Sequence, residues 1–513
     1  MDRTDLDPQV AALLSDPATY GTGVTVTRLD THASVVFLAG DRALKVKRPV
    51  RYSYLDYSTL ARREAACRAE LAVNAPFSAA IYRRVVPIVR TSDGTLRLGG
   101  SGEVVEWAVE MHRFDESKTL DRLADAGELP DGLVHQLAEV VAAGHARMPE
   151  VDAGAWYDAL ASYADDDRAT FKAHPELFAA LDAARLADAT DAALARAQAL
   201  ILDRGRRGLV RHCHGDLHLG NVALVDGRPL PFDAIEFDPL IASGDVLYEL
   251  AYLLMDLIAR GRRRSATELL NQYLFATGRD DDLDALKALP LFVSMRAQIR
   301  AKVNAARRAL VQGDAAAAAG ADAVRYFRLA CVAIAPPPPR LVVVAGLSGT
   351  GKSSVARAIA GRLAPLPGAL VERSDVERKR LCGVALTDRL PAAAYTPALT
   401  AEVYRRLAAR AGRALRAGHS VVVDAVFARA EERADVAALA AACGVTASCV
   451  WLEAPLEVRL ARVAGRRLDA SDADTAVVAM QENLATGPID WPKIGADGPL
   501  EAVVARAAAA IGV

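Results

Sequence analysis

The hydrophobic rhythm of the chain changes as it runs from its N-terminal third to its end. In residues 20–110, short apolar runs of strand length recur at 33–38, 43–46, 85–89 and 104–109, the pattern of segments that lie in a sheet. One stretch with helical spacing, 58–74, interrupts them. From about 116 to 200, and again over most of 245–330, the apolar positions keep a helical period. Beyond 340, buried-strand runs alternate with helical stretches, which predicts a parallel α/β sheet.

Pro336-Pro337-Pro338-Pro339 is the sharpest break. Four prolines favour an extended stretch and cannot sit in a helix interior. They part an alanine-rich helical segment, 315–333, from an apolar strand at 341–345. The expected organisation is a first domain over 1–333, a Pro-rich linker over 334–340 and a second domain over 341–513. Within the first, a small strand-rich lobe of about 20–114 precedes a helical lobe of about 115–333.

Composition narrows the classes without choosing one. At 513 residues the chain is too long for a single core. A hydrophobic content of 52% with 25% charged residues is that of an ordinary globular protein. A net charge of -2 gives no reason to expect nucleic acid or an anionic membrane as partner. Cys67, Cys213, Cys331, Cys382, Cys443 and Cys449 form no C-x-x-C pair, so neither a disulfide frame nor a zinc cluster is indicated. The start, Met1-Asp2-Arg3-Thr4-Asp5, leads into no apolar core of signal-peptide length, and no apolar run is long enough to span a bilayer. A cytoplasmic protein is expected.

Two phosphate-handling signatures carry the chemistry. The first is His212-Cys213-His214-Gly215-Asp216-Leu217-His218-Leu219-Gly220-Asn221. An Asp followed five residues later by an Asn is the spacing of a kinase catalytic loop: Asp216 would accept the proton of an acceptor hydroxyl, and Asn221 would hold Mg2+. In Pro231-Phe232-Asp233-Ala234-Ile235-Glu236-Phe237-Asp238, an Asp at a strand end would ligate the metal that bridges ATP phosphates. Asp233 is the first candidate and Asp238 the rival. Ala43-Leu44-Lys45 has the form of the strand lysine that pairs with those phosphates. Lys47 shares its face, so spacing does not separate the two. The lysine's helix partner is Glu64 or Glu70, with Glu70 preferred. No G-x-G-x-x-G precedes Lys45; the turn Thr31-His32-Ala33-Ser34 is the candidate cover for the phosphates. Glu110-Met111-His112-Arg113-Phe114 is the candidate adenine-contacting hinge.

The second signature, Gly346-Leu347-Ser348-Gly349-Thr350-Gly351-Lys352-Ser353, is a complete Walker A sequence between a strand and a helix that starts at about Ser354. Its glycines let backbone N–H groups turn inward around phosphates at a helix N-terminus. Gly346, Ser348, Gly349, Thr350, Gly351, Lys352, Ser353 and Ser354 are therefore the expected nucleotide contacts, with Ser353 also on Mg2+. Val421-Val422-Val423-Asp424 has the Walker B form, and Asp424 is the second metal candidate. Arg459, Arg462, Arg466 and Arg467 recur with lid-like spacing; which of them reaches the nucleotide is open, with Arg462 the first candidate.

The loop at 214–221 resembles that of the aminoglycoside phosphotransferase and choline kinase superfamily, H-G-D-x-H-x-x-N, and the resemblance extends over about 20–330. It implies a two-lobed, protein-kinase-like fold with ATP between the lobes and a small-molecule acceptor. It also implies that Asp245, in Ser243-Gly244-Asp245-Val246-Leu247-Tyr248-Glu249, buttresses the catalytic loop. The segment Glu372-Arg373-Ser374-Asp375-Val376-Glu377-Arg378-Lys379-Arg380 resembles that of small-molecule P-loop kinases, which implies Asp375 as the base for the acceptor hydroxyl and Arg378 as a support for acceptor or phosphate. The whole chain is similar to a bacterial family that fuses the two domains. The expected function is a bifunctional, ATP- and Mg2+-dependent phosphotransferase acting on hydroxyls of sugars, amino sugars, aminoglycosides or related metabolites. The alternative is that one nucleotide site is regulatory, or a simple ATPase that gates the other. The run Asp165-Asp166-Asp167 reads as a solvated helix face.

Overall fold

The computed structural model describes residues 5–52, 55–465, 470–484 and 486–513. Two compact units emerge: the described residues up to Asp167 with Leu194–Asp256, and Arg168–Ala193 with Leu257–Val513.

In the first unit, strands β1 (Val26–Asp30), β2 (Ser34–Ala39), β3 (Arg42–Lys47), β4 (Tyr82–Arg90), β5 (Leu96–Leu98) and β6 (Glu103–His112) form an antiparallel sheet in the order β1-β2-β3-β6-β4-β5. Helix α1 (Pro8–Ser15), capped by the Asp7 side chain, lays Val10 and Leu14 on Val35, Phe37, Leu44, Val46 and Ile88. Helix α2 (Leu60–Ser78) packs Cys67 with Tyr82 and Val109. Its expected end near Asn74 is overrun despite Pro76. Within this helix the Asn74 amide donates to the Glu70 carbonyl at 2.8 Å and the Ser78 hydroxyl to the Asn74 carbonyl at 3.2 Å. Strand β1 escaped the sequence reading because it buries little, and β5 because it has three residues.

Helices α3 (Leu120–Ala126), α4 (Asp131–Arg147), α5 (Ala153–Ala173) and α6 (Ala180–Arg206) follow, then β7 (Val210–His212), β8 (Val222–Val225), β9 (Arg228–Pro231), β10 (Ser243–Asp245) and α7 (Val246–Ala259). The hairpin β8–β9 decides the site. Its turn is Asp226-Gly227, both at positive φ (50° and 76°), which suits the tight two-residue turn that matches strand twist. The pairing Val222↔Pro231 then brings Asn221, just before β8, beside Phe232 and Asp233, just after β9. Asp167 is buried, unlike Asp165 and Asp166, so the acidic run is not one solvated face.

The second unit contains α8 (Arg263–Thr277), α9 (Asp281–Ala285), α10 (Leu289–Leu310) and α11 (Gly313–Ile334). Beyond the prolines come β11 (Arg340–Gly346), α12 (Lys352–Ala360), β12 (Leu370–Arg373), α13 (Ser374–Cys382), α14 (Pro397–Arg416), β13 (Val421–Asp424), α15 (Ala430–Cys443), β14 (Thr446–Glu453), α16 (Leu456–Ala464), α17 (Thr475–Glu482), β15 (Lys493–Gly495) and α18 (Leu500–Ile511). The five strands are parallel, in the order β12-β13-β11-β14-β15. Val342, Val344, Val422, Val450 and Leu452 bury one sheet face against Val355 and Ile359 of α12 and Val503, Val504 and Ile511 of α18. Among the described residues no helix is long and apolar enough to cross a membrane.

The compact units do not part at 334–340: residues 257–333 belong to the same unit as the P-loop sheet, and α8 and α9 pack on its edge. Strand β12 is an edge, and the Asn271 side chain of α8 completes it. Val371 N–H donates to Asn271 Oδ1 at 2.7 Å, and Asn271 Nδ2 donates to the Ala369 carbonyl at 3.1 Å. Arg413 of α14 pairs with Asp281 at 3.2 Å and Asp284 at 2.6 Å, and Arg410 with Asp280 and with Glu372 at 3.0 Å. Asn271→Ala strands two polar groups of the edge strand, and its expected cost is about 1–3 kcal/mol in urea unfolding of the full chain; an unchanged midpoint would show that the amide is incidental.

Burial pushes the His419 imidazole, ahead of β13, down to about 4. Unfolded, the ring takes its proton near its ordinary value of 6.5. The unfolded chain therefore binds more protons in this window, and stability falls as pH drops from 6.5 toward 4. The expected loss at this residue is about 2 kcal/mol at pH 5 relative to pH 7.5. Unfolding curves at the two pH values check it, with His419→Gln expected to flatten the dependence.

Candidate active sites

In the first unit, the central strand β3 projects Lys45 and Lys47 to the same side, as an i, i+2 pair must. Lys45 Nζ lies 2.8 Å from Glu70 Oε1 and 2.6 Å from Asp233 Oδ1. Lys47 Nζ lies 2.7 Å from Glu70 Oε2 and also meets Glu236. Burial opposes the charge on both lysines, but Asp233, Glu70 and Glu236 around Lys45, and Glu70 and Glu236 around Lys47, outweigh it and hold both above the ordinary range. The Lys45 ammonium in turn holds the Asp233 carboxylate low. Glu64 instead pairs with Arg68 one helical turn on, at 2.6 Å. Lys45 is thus shared between Glu70 and Asp233, whereas Lys47, 2% exposed, is locked between two carboxylates.

Asp233 sits at φ 63°, a left-handed backbone that a non-glycine residue holds only when its surroundings fix it. Those surroundings are Tyr82, whose hydroxyl accepts the Asp233 N–H at 3.0 Å, and Asn74, whose side chain accepts the Ala234 N–H at 3.0 Å. The rival Asp238 caps a turn, accepting from the N–H groups of Leu240 and Ile241.

The catalytic-loop signature is tied down from both sides. Asn221 Nδ2 donates to the Asp216 carbonyl at 2.9 Å and to Asp216 Oδ2 at 3.1 Å. His214 Nε2 donates to the Phe232 carbonyl at 2.9 Å, and burial lowers that ring's pKa, keeping it neutral. The loop's own N–H groups go to α7: Gly215 to Glu249 Oε2 and Leu219 to Asp256 Oδ2, both at 3.0 Å. Asp245, expected as the buttress, is turned away and holds Arg204 through Nε at 2.5 Å and Nη2 at 2.9 Å. It precedes α7, whereas Glu249 and Asp256 lie on the helix that receives the loop.

Lys45, Asp216, Asp233 and Glu236 line one cavity of about 520 Å3, with the turn Thr31 to Ser34 and Met111 to Phe114 also on its wall. The N–H groups of His112 and Arg113 already donate to Ile81 and Asp41 carbonyls, so those two are not available to a base at the expected hinge. The oxygens of Asp233 and Asn221 are hard donors of the kind Mg2+ takes, brought together by the hairpin through the 2.9 Å bond from Phe232 N–H to the Asn221 carbonyl.

In the second unit, β11 runs into the P-loop and α12. A Cβ on Gly346 would meet the Leu452 carbonyl oxygen at 2.5 Å, and one on Gly349 the Arg459 carbonyl oxygen at 2.7 Å; only glycine lets the loop close there. Gly351, at φ 89°, is the N-cap that precedes α12. Lys352 Nζ donates to the Leu347 carbonyl at 3.0 Å, and Ser348 N–H to Gln481 Oε1 at 2.7 Å. Arg373 bridges Ser353 Oγ, at 3.0 Å, and Asp424 Oδ2, at 3.2 Å. Ser353 and Asp424 are oxygen donors converging on one cationic group, the arrangement that fits Mg2+.

Ser348, Gly349, Thr350, Gly351, Lys352, Ser353, Ser354, Asp375, Asp424 and Arg462 line a cavity of about 1130 Å3. Gly346 lies at the loop's root and is not on that wall. Burial pushes the Asp375 carboxyl up, against the pull of Arg373, which makes it a better base near neutral pH. Arg378 also lines the cavity; it donates to the Ala394 carbonyl at 2.7 Å and lies 4.9 Å from the centre of the Tyr395 ring. Of the arginines expected in a lid, Arg459 is buried as a strut, donating to the Ser348 carbonyl at 2.9 Å. Arg462 contacts the Thr350 carbonyl at 3.4 Å; Arg466 and Arg467 lie outside the described residues.

A lysine–glutamate pair above an Asp-to-Asn loop in one unit and a P-loop in the other define a protein of the kinase-like phosphotransferases. The chain belongs to the phosphotransferase enzyme family, whose model matches residues 30–289, and an AAA domain model matches residues 341–488. It is an ATP-dependent phosphotransferase. Uncharacterized proteins of Mycobacterium tuberculosis and Mycobacterium bovis are 31% identical to it over 489 residues, 93% of this chain and 94% of theirs. Among solved structures, a gluconokinase from Sinorhizobium meliloti is 23% identical, covering 34% of this chain and 92% of its own, with a TM-score of 0.25. A choline/ethanolamine kinase family protein from Mesorhizobium loti is 15% identical, covering 63% of this chain and 97% of its own, with a TM-score of 0.34.

Proposed function

We propose that the chain is bifunctional, with one transfer site on 1–333 and another on 341–513, joined by 334–340. Each site moves the γ-phosphoryl group of ATP to a hydroxyl of a small molecule of the sugar, amino sugar, aminoglycoside or related metabolite class. One observation carries this reading: each cavity holds a carboxylate for an acceptor hydroxyl, a lysine for phosphates, and oxygen donors for a cation at or beside its wall. In the first, Asp216 takes the acceptor proton, Lys45 steadied by Glu70 grips the phosphates, and Asn221 and Asp233 hold Mg2+. In the second, the loop N–H groups and Lys352 cradle the phosphates, Ser353 and Asp424 hold Mg2+, Asp375 takes the proton and Arg462 closes on the nucleotide. Bound Mg2+ neutralises charge on the phosphate oxygens; the residues' part is to position and to accept a proton. The cytoplasm, where ATP is supplied, is the proposed location.

The test uses the full chain, because residues 257–333 pack with the P-loop part. Hydroxylated metabolites and aminoglycosides are screened for ATP-dependent phosphorylation with wild type, Asp216→Asn and Asp375→Asn. The reading expects acceptors lost in the first variant and kept in the second, and acceptors of the opposite behaviour. If one site binds ATP but serves no acceptor in the whole library, the regulatory alternative replaces this reading.

A further inference from the structure

The oxygens that the P-loop offers to a metal are held by a side chain of the protein itself. Arg373 is the last residue of β12 and Asp424 the last of β13. The parallel register pairs them directly, Arg373↔Asp424. From that position the guanidinium spans two partners, with Nε 3.2 Å from Asp424 Oδ2 and Nη2 3.0 Å from Ser353 Oγ. The Asp424 side chain is 5% exposed and that of Arg373 13%. A carboxylate so buried is costly without a counter-charge, and the guanidinium supplies it.

We propose that Arg373 is a positioning residue that competes with divalent metal for Ser353 and Asp424, so that metal is admitted together with nucleotide rather than alone. The inference rests on the reading of Ser353 and Asp424 as the metal-holding pair. Metal arriving alone must displace a cation from two hydrogen-bonded partners and leave that cation close by. Metal arriving with ATP brings negative phosphates, which offset the charge of the displaced arginine. Arg373 thus couples the two binding events, and keeps Asp424 and Ser353 in ligating positions meanwhile.

The experiment measures Mn2+ binding by electron paramagnetic resonance, with and without a non-hydrolysable ATP analogue, on the full chain carrying Asp233→Ala to silence the first site. Arg373→Gln should bind Mn2+ alone at least about tenfold more tightly than the parent, and the gain in Mn2+ affinity caused by nucleotide should shrink by a similar factor. Arg373→Lys keeps the charge but cannot span both oxygens, so its Mn2+ affinity should rise by less. Thermal unfolding of each variant establishes that it is folded. Unchanged or weaker Mn2+ binding in a folded Arg373→Gln overturns the proposal; if that variant does not fold, unchanged binding in Arg373→Lys does so. Asp424→Asn separates the two ideas. Should it leave Mn2+–nucleotide binding intact, the metal-pair reading itself fails; should it abolish binding while Arg373→Gln tightens nothing, only the competition fails.

Discussion

Asp216→Asn is expected to keep nucleotide binding at the first site and to lower transfer there by about a hundred- to ten-thousand-fold. The substitution preserves shape, and Asn221 Nδ2 still has the residue 216 carbonyl as a partner at 2.9 Å. The Lys45–Glu70 pair proposed to face the phosphates is untouched, since Lys45 is held by Glu70 and Asp233 rather than by Asp216. What disappears is the carboxylate proposed to accept the hydroxyl proton as the new bond forms. Single-turnover transfer to an acceptor from the screen, beside ATP affinity by calorimetry, reads both halves of the expectation. A variant with full turnover would take Asp216 out of the mechanism; one that loses ATP affinity in step with turnover would make it a binding residue.

Lys352→Ala is expected to weaken nucleotide binding at the second site by about 2–4 kcal/mol, the scale of removing one partner of a buried charged hydrogen bond. The Lys352 side chain rises from the first turn of α12 into the cavity that Ser353 and Asp375 also line, so its loss removes the only lysine on that wall among the described residues. The first site should keep its affinity, because the lysine proposed to hold its phosphates is Lys45. Two-site calorimetry of the full chain separates the losses. Equal weakening at both sites would mean that the sites share a coupling free energy, which linkage makes reciprocal.

Much of this was legible in the sequence where the chemistry is local. The Walker A glycines and the Asp216–Asn221 spacing are fixed by neighbours in the chain, and the structure sets each group on one cavity wall or beside it. The partners that decide between local alternatives were not legible, because they come from far away. Lys45 and Lys47 are equivalent by spacing; what distinguishes them is Glu236, 189 positions from Lys47. Gln481 meets Ser348 across 133 positions, and Glu249 meets Gly215 across 34. The family resemblance implied Asp245 as the loop's support, but its side chain leaves β10 toward Arg204. The dual duty of Arg373 depends on strand register, which no motif encodes. Strand β15 was missed for a plainer reason: three residues cannot establish a period.

The seam between α8–α9 and the P-loop sheet bears on how the protein is made. Residues 257–333 leave the ribosome before 341–513, so Asn271 and the acids Asp280, Asp281 and Asp284 are synthesised ahead of the backbone and arginines that they meet. A fragment ending before the prolines keeps that acidic, half-satisfied face. A fragment starting at Arg340 keeps the opposite one, an open strand edge at β12 with Arg413 stripped of its acids and Arg410 left to Glu372, and an open edge invites pairing with another chain. The tetraproline marks a change of motif in the gene, while the polypeptide behind it is finished only when its last third has closed over a surface laid down earlier.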